Sequence, residues 1–288
     1  MQIFLNNRML SGYCINKQHN FILPYSGMNM LYRTLHYLLL GCSTLLFAQT
    51  HPEQLIQDVF QSELVYPQES GELQFTISPN LQNSRPVNLL SSPVAIEYGL
   101  SDSWQIEFSW MGYVHQENSL SGNISGPGDV EIGTKWRFLS PGHRNIQSAV
   151  GLDLQLPTGG TDGINEDDPA VEPYVIAAMD LNWLNDAHIF TQVGGEISLT
   201  SETDDAPGIF MNSGIIYPFR TFCVSTELNW ITADEIAEIY VTPGIISTYG
   251  AYEFGFAIPI GVSSPADTYR IIAQFSIEFS LNGDETPD

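Results

Sequence analysis

Polar and apolar residues alternate with a period of two along much of this sequence, and this alternation constrains the fold more than any other feature. From Trp104 to Trp110, and again from Ile271 to Leu281, every second residue is apolar. A period of two is that of a β-strand with one apolar face. The runs are about 9 to 12 residues long, whereas strands in soluble sheets typically have about five or six. Runs of this length match tilted strands that cross a bilayer.

Twelve such runs can be placed along the chain, and an even number is typical of closed antiparallel barrels in bacteria. Closure leaves no strand edge unpaired in hydrocarbon, where backbone groups find no water. The sequence therefore predicts an all-β fold, a closed antiparallel transmembrane β-barrel of about 12 strands. The predicted strands cover residues 71–79, 92–100, 104–113, 128–139, 145–157, 170–181, 187–199, 208–217, 221–230, 237–246, 251–261 and 268–281.

The connections between these predicted strands alternate between short and long. Ser101–Ser103 and Ser140–His143 are compact, whereas Val114–Pro127 and Thr158–Pro169 are longer and rich in turn-forming residues. Outer-membrane barrels have short periplasmic turns and longer outer loops. The alternation predicts that both ends of the barrel chain lie on the periplasmic side. A soluble secreted β-sandwich is also considered, although that fold does not require short and long loops to alternate.

The charge distribution separates the N-terminal region from the rest of the chain. There are 9 Lys and Arg against 33 Asp and Glu, but no acid occurs in the first 48 residues, so the remainder carries a net charge of -27. Arg33 precedes an apolar run, Leu35–Phe47, which ends at the small residue Ala48, as in a secretory signal peptide. Residues 1–48 are therefore predicted to be an upstream extension plus a signal peptide. A buried N-terminal helix and a lipoprotein signal at Leu39–Cys42 are the alternatives.

Two segments flank the predicted barrel, which spans residues 71–281. Residues 49–70 are predicted to be a periplasmic leader, in which apolar residues between Leu55 and Leu64 are spaced for a short amphipathic helix. The leader is expected to be flexible or to plug the periplasmic mouth of the barrel. Residues 282–288 form an acidic C-terminal tail. Removal of the signal leaves Cys223 as the single cysteine, so no intrachain disulfide is expected.

If the apolar parity faces lipid, the other parity faces the lumen, because a charge on the lipid side costs about 2–4 kcal/mol near the midplane. Folding the second and third strands about Asp102 places Glu97 opposite Glu107. Lys135 and Arg137 lie at a similar depth on the fourth strand, which predicts a cluster of these four residues. The cluster is either an ion-pair network that braces the wall or a contact point for a polar solute. The predicted lumen-lining residues are Glu97, Glu107, Asp129, Glu131, Lys135, Arg137, Asp153, Glu196, Glu227, Glu253, Arg270 and Glu278.

The composition and the motifs exclude several classes of function. Nine cations against 33 acids cannot supply the basic surface that binding to nucleic acid requires. The sequence shows no catalytic triad, zinc-binding helix motif or phosphate-binding glycine loop. Neither catalytic residues nor a metal or other cofactor is therefore expected, and the chain is not expected to be an enzyme.

Two neighbouring motifs resemble a known family. Gly128–Asp129 opens a predicted strand that ends in Lys135–Phe138, and the next strand ends in Pro157–Gly159. These motifs resemble the outer-membrane β-barrel family associated with the meta-cleavage pathway of phenol degradation, and the similarity extends over residues 70–281. The resemblance implies an outer-membrane channel or transporter for hydrophobic or aromatic small molecules. Barrels of the outer membrane usually end at a terminal aromatic residue, whereas this chain continues through Asn282–Asp288.

The sequence thus predicts a porin-like channel in the bacterial outer membrane that passes small molecules through an acidic lumen, which disfavours anionic solutes. The expected partners are membrane lipid and lipopolysaccharide, a small-molecule solute and the outer-membrane assembly machinery. The alternative is a non-transporting structural or surface-interaction barrel whose lumen is filled.

Overall fold

The computed structural model describes residues 59–84, 87–118, 122–139, 146–160, 168–200, 207–233, 236–264 and 266–281. The predicted signal peptide, the first part of the leader and the acidic tail lie outside these ranges. Within them, no helix is long and apolar enough to cross a membrane.

Twelve antiparallel strands pair in the order of the sequence and close into a barrel. Closure is made by the first and last strands, with Glu72 opposite Ser280 and Asn83 opposite Tyr269. A 3-10 turn, Asn182–Leu184, connects the sixth and seventh strands. The strands are β1 (Glu72–Ile77 and Asn80–Ser84), β2 (Val87–Ser101), β3 (Trp104–Asn118), β4 (Gly122–Gly126 and Val130–Leu139), β5 (Ile146–Leu156), β6 (Ala170–Leu181), β7 (Ala187–Ser198), β8 (Gly208–Pro218), β9 (Cys223–Ala233), β10 (Ile236–Tyr249), β11 (Tyr252–Ala257 and Ile260–Gly261) and β12 (Tyr269–Ser280).

The interruptions in β1, β4 and β11 each contain a proline: Pro79, Pro127 and Pro259. Proline has no backbone N–H, so one hydrogen bond of the ladder is missing at each of these three positions. Backbone bonds to a neighbouring strand continue at each interruption: the N–H of Ala273 donates to Pro79, that of Arg270 to Pro259 and that of Gly128 to Met111. The interrupted strands therefore remain continuous parts of the wall.

The two faces of the wall have opposite character. Large apolar side chains point outward, among them Trp104, Phe108 and Trp136. Polar side chains such as Gln105 and Lys135 point inward and are almost completely buried. An apolar outer surface of this extent is unfavourable in water, whereas it is the normal lipid-facing surface of a membrane barrel.

The predicted fold class is confirmed, and each of the twelve predicted strands overlaps one observed strand. The predicted alternation of loop length is wrong at the first two outer connections. β1 and β2 continue to pair as far as Ser84 and Val87, and β3 pairs with β4 as far as Asn118 and Gly122. The outer parts of these strands are rich in Asn, Gln and Ser on both faces. The hydrophobic signal ends there, but backbone pairing continues.

Inside the barrel, aromatic rings pack over glycines on the neighbouring strand. Tyr174 on β6 lies opposite Gly151 on β5, and Phe210 on β8 lies opposite Gly194 on β7. A Cβ added to either glycine would overlap the ring. The glycines are therefore required because the inward rings occupy the space of their missing side chains.

We predict that Gly151→Ala destabilises the barrel by about 1–3 kcal/mol, the usual cost of overpacking, because the Tyr174 ring has to move. The measurement is the temperature at which the folded protein loses its heat-modifiable mobility on a gel. Gly160→Ala is the matched control, because an added Cβ at Gly160 meets no atom within 4 Å. Equal transition temperatures for the two variants would contradict the prediction.

Candidate functional site

The site that the fold defines is a lumen with a piece of the chain inside it. Residues 59–68, here called the lumenal segment, precede β1. Val59 and Phe60 are 3% and 6% exposed, and Leu64 and Val65 are fully buried. The described part of the predicted leader helix, residues 59–64, is not helical. Apart from a bond of 3.3 Å from the N–H of Val59 to the carbonyl of Ser62, the backbone contacts described below are made with side chains of the wall.

Glu227 on β9 binds residues 60–62 of the lumenal segment, here called its tip. Its carboxylate accepts hydrogen bonds from the backbone N–H groups of Phe60 and Gln61, both at 3.2 Å, and from the hydroxyl of Ser62 at 2.5 Å. Glu227 is completely buried. Hydrogen bonds to a charged acceptor are stronger than those between neutral groups, so this contact fixes the tip firmly to one wall.

The ring of Phe60 occupies a notch in the same part of the wall. The notch is formed by Gly244 on β10 and Gly255 on β11, where any Cβ would meet ring atoms of Phe60. The tip is therefore held both by hydrogen bonds and by shape.

A row of amide side chains crosses the wall beside this anchor. Gln192, Asn212 and Asn229 lie directly opposite one another on β7, β8 and β9. Gln192 accepts a hydrogen bond from the N–H of Glu63, and Asn212 donates one to the carbonyl of Gln61, both at 3.1 Å. Asn229 in turn donates to Asn212 at 3.2 Å. The row binds the main chain of the lumenal segment.

Glu63 reaches the other side of the barrel. Its carboxylate lies 3.1 Å from the ammonium of Lys135 on β4 and accepts a hydrogen bond of 2.8 Å from the hydroxyl of Tyr174 on β6. Lys135 is 1% exposed and Glu63 is 4% exposed. β4 and β9 are five strands apart in a ring of twelve. The contacts to Lys135 and Glu227 therefore show that the segment spans the lumen.

The end of the lumenal segment that leads into β1 is held near the short turns. The N–H of Gln68 donates to Gln105 at 2.8 Å. The hydroxyl of Tyr66 accepts a bond of 2.9 Å from Gln147 and lies 3.4 Å from Nδ1 of His188. Gln147 and His188 each lie in the first residues of their strands. The segment therefore fills the half of the lumen next to these turns, called the turn end below.

Carboxylates line one side of the lumen. Glu107 on β3, Asp153 on β5 and Glu172 on β6 lie in one row across the wall, with Gly133 of β4 between the first two. Like charges placed opposite each other across strands are unfavourable. This row, extended by Glu131 on β4 and Glu196 on β7, is called the carboxylate wall below.

The four charged residues of the predicted cluster make contacts in different parts of the barrel. Glu97 does lie opposite Glu107, as predicted, and it accepts a hydrogen bond of 3.1 Å from Gln105. Lys135 contacts Glu63, which the sequence interpretation did not include. Arg137 donates to the backbone carbonyl of Asp102 at 2.7 Å, at the rim. Lys135 thus contacts the lumenal segment, and Arg137 contacts the rim.

Two other predicted lumen residues make contacts at the end of the barrel opposite the turn end. Asp129 accepts a hydrogen bond of 2.8 Å from the N–H of Gly159, which joins the two sequence motifs at the edge of β4 and β5. Arg270 lies 2.8 Å from Asp267 and stacks 4.4 Å from the ring centre of Tyr240. The remaining predicted residues, Glu131, Glu196, Glu253 and Glu278, are half-buried, as their inward parity requires.

No protein-family model and no curated protein sequence matches the chain. Solved structures resemble it. An outer membrane channel from Pseudomonas putida F1 has a TM-score of 0.58 and 11% identity, over 75% of this chain and 98% of that chain. The KdgM porin has a TM-score of 0.51 and 9% identity, over 72% and 99% of the two chains. The NanC porin has a TM-score of 0.50 and 10% identity, over 72% and 100%.

At these identities the likeness concerns the fold. The closed twelve-stranded wall, the apolar outer face and these neighbours define a β-barrel of the bacterial outer membrane, surrounded by membrane lipid.

We predict that Lys135→Met loosens the lumenal segment, because leaving one charge of a buried pair without its partner costs about 3–5 kcal/mol. Val59→Cys, in a Cys223→Ser background, reports the loosening as faster reaction with a membrane-impermeant maleimide. Adding Glu63→Gln removes the second charge and should slow the labelling again. Unchanged labelling in Lys135→Met would show that the pair does not hold the segment.

Proposed function

We propose that this protein is an outer-membrane channel for small molecules, closed at its turn end by the lumenal segment and open when the segment leaves the lumen. The observation that carries this proposal is that the barrel closes through residues 72–280, which exclude the segment. Departure of the segment therefore breaks no pair of neighbouring strands.

The contacts of the lumenal segment favour reversible opening. The tip is held through hydrogen bonds to Glu227, and the middle through hydrogen bonds and the ion pair between Glu63 and Lys135. Water can replace these partners when the segment moves, so the net contribution of each hydrogen bond to a charged group is limited to about 1.5–3 kcal/mol. Water could not replace the contacts in this way if they were mainly apolar.

The carboxylate wall supports a preference for cationic and neutral polar solutes over anions. Its side chains converge in a space with a lower effective dielectric than bulk water, where the repulsion of an anion is stronger. Transport of hydrophobic or aromatic compounds is part of the proposal on the resemblance of the sequence motifs alone. Contact with lipopolysaccharide at the outer rim and insertion by the outer-membrane assembly machinery are proposed on the barrel fold.

The second candidate is a non-transporting barrel with a structural or surface-interaction role. The observation that favours it is the filled turn end of the lumen. The two candidates differ in whether the lumenal segment can leave, so a variant that weakens only the segment separates them.

We predict that Phe60→Ala combined with Glu63→Gln increases conductance in planar bilayers. The changes remove the ring from its notch and the carboxylate from Lys135, while the wall remains intact. Glu117→Gln is the control, because it removes an acid whose side chain is 57% exposed and lies at the outer end of β3. A double variant that folds but shows no conductance would favour the non-transporting barrel.

In the same loosened background, we predict a potassium preference over chloride that depends on the carboxylate wall. Replacement of Glu107, Asp153 and Glu172 by their amides should shift the reversal potential in a potassium chloride gradient toward zero. Glu117→Gln, again the control, should leave it unchanged. An unshifted reversal potential in the triple variant would contradict the assignment of selectivity to this wall.

A further inference from the structure

The wall of the lumen contacts the main chain of the lumenal segment at several points. The N–H groups of Phe60 and Gln61 donate to Glu227, and the N–H of Glu63 donates to Gln192. Every peptide presents N–H groups at the same spacing, apart from proline. Residues 60–62 form a bend, closed by a bond of 3.3 Å from the N–H of Val59 to the carbonyl of Ser62. The contacts are therefore suited to a peptide that adopts the same bend.

Two further contacts depend on side chains. The notch at Gly244 and Gly255 accepts the ring of Phe60. The pocket of Lys135 and Tyr174 accepts the carboxylate of Glu63. The ring and the carboxylate belong to residues three positions apart, so together they specify an aromatic residue followed, three positions later, by an acid.

The wall side of this arrangement is ordered by its own hydrogen bonds. Asn229 donates to Asn212, and the hydroxyl of Thr242 donates to Asn229 at 2.8 Å. Asn212 also donates to Gln192 at 3.3 Å. The side chains that meet the segment are thus positioned by neighbours on β7 to β10. A ligand that binds preorganised groups loses less free energy to their ordering.

We propose that these residues form a peptide-binding site, which the lumenal segment occupies as an internal ligand. Once the segment leaves, the site takes peptides that adopt the same bend and carry an aromatic residue three positions before a carboxylate. The inference rests on the channel function proposed above, because opening of the lumen exposes the site. It names such peptides as a class of solute or blocker of the channel.

The test uses two capped, fluorescently labelled heptapeptides and the purified full chain carrying Phe60→Ala and Glu63→Gln. One peptide has the sequence of residues 59–65, and the control peptide carries the same two substitutions as the protein. Fluorescence anisotropy should show that the first peptide binds about tenfold or more tightly than the control, because a hydrogen bond to a charged group contributes about 1.5–3 kcal/mol. The chain without substitutions should bind the first peptide more weakly, because its own segment occupies the site.

Adding Lys135→Met to the protein should reduce the difference between the peptides to the part that the aromatic ring contributes, because the pocket for the carboxylate is lost. Equal binding of both peptides to the Phe60→Ala and Glu63→Gln variant would overturn the peptide site. Conductance of the same preparation keeps the two proposals distinguishable. Selective binding without current overturns the channel alone, whereas current without selective binding overturns the peptide site alone.

Discussion

Backbone hydrogen bonding in hydrocarbon is the constraint on which the rest of this structure depends. A peptide group inside a bilayer finds no water, so every strand needs a partner on both sides. The pairing of β1 with β12 meets this requirement. Closure then fixes the direction of every side chain, because successive residues of a strand point to opposite faces. The apolar parity faces lipid, and the polar parity is enclosed.

Enclosing the polar parity creates a second requirement, because buried polar groups are unfavourable without partners. The lumenal segment supplies partners on two sides of the lumen. It brings N–H donors to Glu227 and a carboxylate to Lys135, while its carbonyl at Gln61 meets Asn212. The carboxylate wall lies outside this set of contacts. The inward-facing polar residues therefore include both those that hold the segment in the lumen and the acids that would select its solutes.

The fold could be predicted from the sequence because the lipid imposes a strict period of two on each strand. Positions outside the lipid-facing parts of the strands are harder to predict, because no period of two is imposed on them. The second part of β1, Asn80–Ser84, pairs without a continuous apolar face. Glu172 was missed because β6 has apolar residues on both parities, including Ile176 inside and Val175 outside. Glu63 was missed because its segment has no strand period, and its partner Lys135 lies 72 positions along the chain. Neutral residues such as Asn212 carry no charge pattern that distinguishes them in the sequence.

The placement of the lumenal segment across the barrel is the central claim, and cross-linking of the native protein tests it most directly. A carbodiimide joins a carboxylate and an ammonium that are in contact, without a spacer, and the Glu63 and Lys135 groups lie 3.1 Å apart. Mass spectrometry of the digested outer-membrane protein should identify an amide bond between these two side chains. Absence of this bond, together with free reaction of the Glu63 carboxylate with a soluble amine, would show that the segment does not cross the lumen.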